Sequence, residues 1–217
     1  MINLIEVGFT GKTSPAWVSR ENLVDHILSF NPLLKSFSTD KHCHLQLAIT
    51  DERDCVLKDF NIYNKADCSS FFEVNEDAIK ERKGKNPGDM ELKKVIKVGC
   101  ARLDELLDSM DVKFNYLKID TQGADLSVIK STGKYLKEIW VVEAEVLFTP
   151  LYKDTPMAED ILNFMLKETG GQFKLMGDLR KPNPLFGDYI FINKDIPDNI
   201  MEFVNDIYKP AEVPGIG

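Results

Sequence analysis

The stretch Leu117-Lys-Ile-Asp-Thr-Gln-Gly-Ala-Asp125 gathers groups that could do chemistry. Tyr116–Asp120 is an apolar strand pattern that delivers a carboxylate to its end. Gly123 permits a tight turn, and a helix begins at once. A carboxylate in that position can accept a proton from a nucleophile. Asp120 can also be read as the N-cap of the following helix. Asp125 suits the first helical turn, where an acid complements the dipole. Glu143, within the run Ile139–Val146, either faces a site or bonds a backbone turn. Near the N-terminus, Glu6-Val7-Gly8-Phe9-Thr10-Gly11 places an acid before a glycine-containing loop. Such glycines after a strand are common in α/β proteins and carry little alone. His42-Cys43-His44 sets two imidazoles on one strand face. Without a third ligand they make a poor metal site, and an ordinary surface strand is the better reading.

These residues need a frame. Ile2–Val7 reads as a strand, and Ser14-Pro15 as a helix start. Ala16–Phe30 fits one helix, or a short helix and a strand ending at Asn31-Pro32. Leu45–Ile49, Cys55–Tyr63 and Val95–Val98 read as strands, Arg102–Met110 and Ala124–Ser131 as helices. Ala158–Glu168 is an amphipathic helix stopped by Gly170-Gly171. Phe173–Met176 and Tyr189–Ile192 fit an antiparallel closing pair, and Asn199–Tyr208 a last helix. The expected architecture is α/β: a Rossmann-like, mostly parallel central sheet with an antiparallel closing strand pair and helices on both faces. One domain over residues 1–208 is expected, with 73–91 an exposed loop or insertion and 209–217 a loose tail. Ligands of such sheets sit at the carboxyl ends of the strands. That rule selects Glu6 to Gly11, Asn31, Thr50 to Asp51, Asp120 to Asp125 and Glu143 to Glu145.

Composition narrows the function. The 217 residues are 43% apolar and 29% charged, ordinary for a globular chain. A net charge of −8 argues against a broad nucleic-acid face, which needs clustered Lys and Arg. No apolar run approaches the roughly 20 residues that span a bilayer. The N-terminus has no basic leader, and Cys43, Cys55, Cys68 and Cys100 show no Cys-x-x-Cys spacing. A reduced, cytoplasmic protein without membrane partners is expected.

Taken with Val98–Leu107 and Trp140–Glu145, the Leu117–Asp125 block resembles the FkbM family of S-adenosylmethionine-dependent methyltransferases. The resemblance rests on Leu103-Asp-Glu-Leu106, Lys118-Ile-Asp120 with Gly123-Ala-Asp125, and Val141-Val-Glu143. Pro150-Leu-Tyr152 and Asp188-Tyr-Ile-Phe-Ile-Asn193 also look like family features. Glu6-Val-Gly8 with Gly11 stands where the family has its first motif, one residue tighter. Asn31 stands where many members carry an acid before proline.

The resemblance implies S-adenosylmethionine as cofactor, with Glu6, Gly8, Gly11, Asn31 and Ile49 on its side of the site. Asn31 would take the ribose, and Ile49 would lie beside the adenine. Gln122, Asp125 and Glu143 would line the acceptor side, with Asp120 the base if the acceptor is a hydroxyl. The acceptor would be a small molecule, such as a sugar or related metabolite. Phe71-Phe72 would wall the adenine or pack the core. A non-catalytic module that kept the fold and lost cofactor affinity is the alternative. A nicotinamide-dependent oxidoreductase is weaker, because the Gly-x-Gly-x-x-Gly spacing is missing.

Overall fold

The computed structural model describes residues 1–12, 21–80, 87–180 and 185–208. The expectations for Ser14-Pro15 and the tail from residue 209 lie outside them. Eleven strands are described: β1 (Ile2–Val7), β2 (Val24–Phe30), β3 (Phe37–Ser38), β4 (His42–Leu45), β5 (Ala48–Ile49), β6 (Leu57–Tyr63), β7 (Leu92–Ala101), β8 (Tyr116–Ile119), β9 (Val141–Leu147), β10 (Phe173–Arg180) and β11 (Phe186–Asn193). The described helices are α1 (Glu76–Lys80), α2 (Leu103–Leu107), α3 (Asp125–Ser131), α4 (Ala158–Asn163) and α5 (Asp198–Ile207).

Eight strands form one mixed sheet in the order β10-β11-β9-β8-β1-β2-β4-β3. Its centre, β9-β8-β1-β2-β4, is parallel throughout. β11 and β10 close one side and β3 the other, all antiparallel. The chain leaves β1 toward β2 and β4, then returns to β1's other flank as β8 and β9. That reversal opens a crevice between the ends of β1 and β8.

The central strands are apolar on both faces because both faces are covered. Ile5, Val7, Leu117, Ile119 and Val142 pack under α2, α3 and α4. Ile2, Leu4, Tyr116, Val141 and Ile192 pack under Ile200 and Val204 of α5. The alternation within β1 assigns Ile5 and Val7 to one layer, Ile2 and Leu4 to the other.

Several local expectations change. The ambiguous segment ends as a strand, since Val24–Phe30 pairs with β1 in parallel. Leu45–Ile49 is split rather than continuous. The Leu47 N–H donates to the Leu45 carbonyl at 2.8 Å, which turns the chain out of the large sheet. Ala48 and Ile49 then pair with β7 in a second sheet, β5-β7-β6. Val95–Val98 is only part of ten-residue β7, extended by its hairpin with β6. The segment 73–91 is not simply an exposed loop. It holds α1, and Ile79 and Met90 are buried against Leu151 and Tyr152. Beyond α4 the helix widens to a π-type turn, Phe164–Glu168.

His42-Cys43-His44 is not a surface strand. β3 folds back antiparallel on β4; Phe37 stacks on His44, Phe9 packs tilted against it, and both rings meet His42 edge-on. His44 is fully buried, and the Ser29 hydroxyl bridges His42 Nε2 at 2.7 Å and His44 Nδ1 at 2.8 Å. Burial lowers the pKa of both histidines. No group of three or more metal-ligating side chains occurs among the described residues. Nor is any described helix long and apolar enough to cross a membrane.

Candidate functional site

A cavity of about 320 Å³ opens at the reversal between β1 and β8. Gly8, Asn31, Ile49, Asp120 and Gln122 line it together with Leu33, Leu47, Phe60, Asp67, Ser69 and Phe71. Residues far apart in sequence meet there because each ends a strand or follows one. The second sheet supplies the far wall through Ile49 and Phe60. Phe71 faces the cavity and meets Phe60 edge-on at 5.4 Å, whereas Phe72 packs in the core beside Tyr152.

The β1 end is held by backbone. Asp120 N–H donates to the Val7 carbonyl at 2.9 Å, and Gly8 N–H to the Phe30 carbonyl at 3.0 Å. Gly8 has φ +98°, and a Cβ there would lie 1.9 Å from the Asp120 carbonyl oxygen. Its lack of a side chain thus lets β1 and β8 converge. Asn31 Nδ2 donates to the Phe9 carbonyl at 2.8 Å, and its Oδ1 accepts the Leu33 N–H at 2.8 Å. One amide hydrogen and one lone pair remain for a ligand.

The β8 end is held by Gln122. Its Nε2 donates to Asp120 Oδ1 at 2.8 Å and to Glu145 Oε2 at 2.7 Å. Ser70 Oγ donates to its backbone carbonyl at 2.8 Å. The Tyr152 hydroxyl lies 2.9 Å from the Cys68 carbonyl and 3.2 Å from Gln122 Oε1. Gln122 itself has φ +55°, and Gly123 follows at +102°. A Cβ on Gly123 would reach Thr155 Cγ2 at 2.7 Å, so the turn is packed closely from outside.

Four of the residues selected from sequence lie off the cavity lining. Gly11 stands apart from it, with Leu34 its nearest side chain. Asp125 is buried beneath the turn, where its Oδ2 accepts the Thr121 hydroxyl at 2.9 Å. Burial, reinforced by the Asp120 charge, pushes its carboxyl up to about 7. Glu6 and Glu143 flank Lys118 in one register row across β1, β8 and β9. Lys118 Nζ donates to Glu143 Oε1 at 3.0 Å, and the Tyr116 and Tyr208 hydroxyls donate to Oε2. Burial pushes Glu6 up to about 7, against the opposing pull of Lys118. Burial acts to lower Lys118, yet Glu143 and Asp120 outweigh it and hold the ammonium above its ordinary value.

Glu145, Tyr152 and Ser70 are the residues that sequence reasoning underweights. Glu145 shares a strand face with Glu143 but lies one pleat further along β9. The last pairing of β8 with β9 is Ile119 to Ala144, so Glu145 projects past the end of β8. That overhang brings it to Gln122 while Glu143 stays within the sheet.

Asp104 of the Leu103–Leu106 motif is structural. Both its carboxylate oxygens pair with Arg102, at 2.9 and 2.7 Å, and Arg102 Nη1 donates to the Asp51 carbonyl at 2.5 Å. Asp51 Oδ1 accepts the Ser127 hydroxyl at 2.6 Å, tying this corner to α3.

Fold and site define an α/β protein with a cavity where the chain reverses across its sheet. The family model of the methyltransferase FkbM domain matches residues 11–173, and the chain belongs to that family. No curated protein and no solved structure matches the chain.

Proposed function

We propose that the protein is an S-adenosylmethionine-dependent methyltransferase on a Rossmann-like sheet, acting on a hydroxyl of a sugar or related small metabolite. The observation that carries this reading is one cavity, at the sheet reversal, lined by Gly8, Asn31, Ile49, Asp120 and Gln122 in a member of the FkbM family.

The lining suits that cofactor. Leu33, Leu47, Ile49, Phe60 and Phe71 form an apolar crevice that would take a flat heterocycle, and Asp120 would supply a carboxylate of opposite charge to a cationic donor. The volume lies at the lower end of the usual range for ligand pockets. When bound, S-adenosylmethionine supplies an electrophilic methyl group on a sulfonium. What the chain must then provide is alignment of acceptor, methyl carbon and leaving sulfur. Asn31 offers its spare N–H and lone pair to the ribose hydroxyls. Asp120 accepts the acceptor's proton at a carboxylate oxygen. Gln122 holds Asp120 in place and keeps Glu145 at the acceptor side. The apolar crevice excludes water from the transfer.

Labelled-methyl transfer from the cofactor to hydroxylated small metabolites tests the reading. Protein-dependent labelling that falls at least tenfold in Asp120→Asn supports it. Labelling of amines alone, with Asp120→Asn fully active, overturns the hydroxyl assignment.

The second reading is a binding module without catalysis. It is favoured by the internal commitment of the Asn31 amide to Phe9 and Leu33. Folded protein that binds no S-adenosylmethionine at millimolar concentration and turns over no acceptor would select it.

A further inference from the structure

Cys55 and Cys100 are far apart in sequence, yet their sulfurs lie 2.8 Å apart. Both are free thiols. Cys55 stands two residues before β6, and Cys100 near the end of β7. The hairpin register brings them together: Leu57 pairs with Gly99, and Cys100 N–H donates to the Val56 carbonyl at 3.0 Å. Cys55 is half-buried and reachable from solvent, whereas Cys100 is 7% exposed. The pair backs the cavity wall. Cys100 pairs in register with Ala48, and both pack with Phe60. Lys58, near the thiols, stacks over the cavity-lining Phe71 at 5.0 Å.

We propose that Cys55 and Cys100 form a reversible disulfide that staples the β5-β7-β6 wall of the cavity, driven by a low-molecular-weight disulfide. The Cys55 thiolate attacks one sulfur of oxidised glutathione, forms a mixed disulfide and expels one glutathione thiolate. Cys100 then gives up its proton, attacks Cys55 Sγ and expels the second glutathione thiolate, which takes up a proton. The balance is two protein thiols and one glutathione disulfide yielding one protein disulfide and two glutathione thiols. The exposed partner accepts the oxidant, and the buried one resolves the adduct. In a reducing compartment such a bond opens again, so it acts as a switch and not a permanent staple. This inference does not depend on the reaction assigned to the cavity.

The test equilibrates the folded full-length protein with reduced and oxidised glutathione, then quenches, blocks free thiols and maps peptides by mass. A Cys55–Cys100 linkage reversed by dithiothreitol is expected, with a thermal midpoint raised by about 5 °C or more. Cys100→Ser is expected to accumulate a glutathione adduct on Cys55. Three results would each overturn the proposal: both thiols blocked as free cysteines at high oxidised glutathione, pairing with Cys43 or Cys68 instead, or linkage only in urea. The mapping uses the unaltered chain, so it stands even if a cysteine variant fails to fold.

Discussion

Gly8 and Asp120 touch through backbone: a single added carbon on Gly8 would sit 1.9 Å from the Asp120 carbonyl oxygen. The contact closes β1 against β8 at the point where the cavity opens. Gly8→Ala must push Asp120 away and also hold an L side chain at φ +98°. A loss of about 2 to 4 kcal/mol in stability is expected, with weaker cofactor binding. Urea denaturation measures it, and an unchanged midpoint would show that β1 and β8 do not converge this closely.

Gln122→Glu replaces a donor between two carboxylates with a third acid. Like charges so placed disfavour ionisation. The variant should lose about 2 to 3 kcal/mol near pH 8 and recover much of it near pH 5, where a protonated acid can donate. Denaturation at the two pH values checks this; an equal loss at both would argue against charge repulsion as the cause.

The elements most legible in sequence were those governed by local pattern. Tyr116–Ile119, Val141–Leu147 and the pair β10–β11 announce themselves as apolar runs. Asp120 follows from its place at a strand end. What escaped depends on distant partners. The break after Leu45 exists because β5 has β7 to pair with, and nothing local marks it. The burial of His44 needs Phe9 and Phe37 from two other segments. Glu6 and Glu143 looked like site residues because they occupy strands that reach the site. Their register with Lys118 keeps them inside the sheet, one step short of the edge. Glu145 meets the cavity-lining Gln122 only because β9 outruns β8.

Asn31→Asp discriminates the two functional readings. The aspartate keeps an acceptor for the Leu33 N–H but sets a carboxylate oxygen against the Phe9 carbonyl. Stability should fall by about 1 to 3 kcal/mol, and cofactor affinity about tenfold. Calorimetric titration of the variant reads the second effect. A gain in affinity would mean that asparagine had degraded the site.

Glu6 and Asp125 make the fold sensitive to pH in a defined sense. Folded Glu6 keeps its proton up to about pH 7, whereas the unfolded chain releases it near 4.5. Below the lower value both states are protonated and stability is full. Between the two values only the unfolded chain ionises, so stability falls as pH rises, then levels off above about 7. Asp125 acts in the same direction, from 3.8 to about 7. Glu6→Gln should therefore gain about 1 to 3 kcal/mol over the parent near pH 8 and little near pH 4.5. Unfolding midpoints across that range decide it, and a gain confined to acid pH would reverse the assignment.

Calorimetric titration of the folded protein with S-adenosylmethionine tests the central claim most directly. The account predicts saturable one-to-one binding with Kd below about 100 μM, weakened at least tenfold by Gly8→Ala in protein that remains folded. No heat at millimolar cofactor, with the fold verified by circular dichroism, would contradict it.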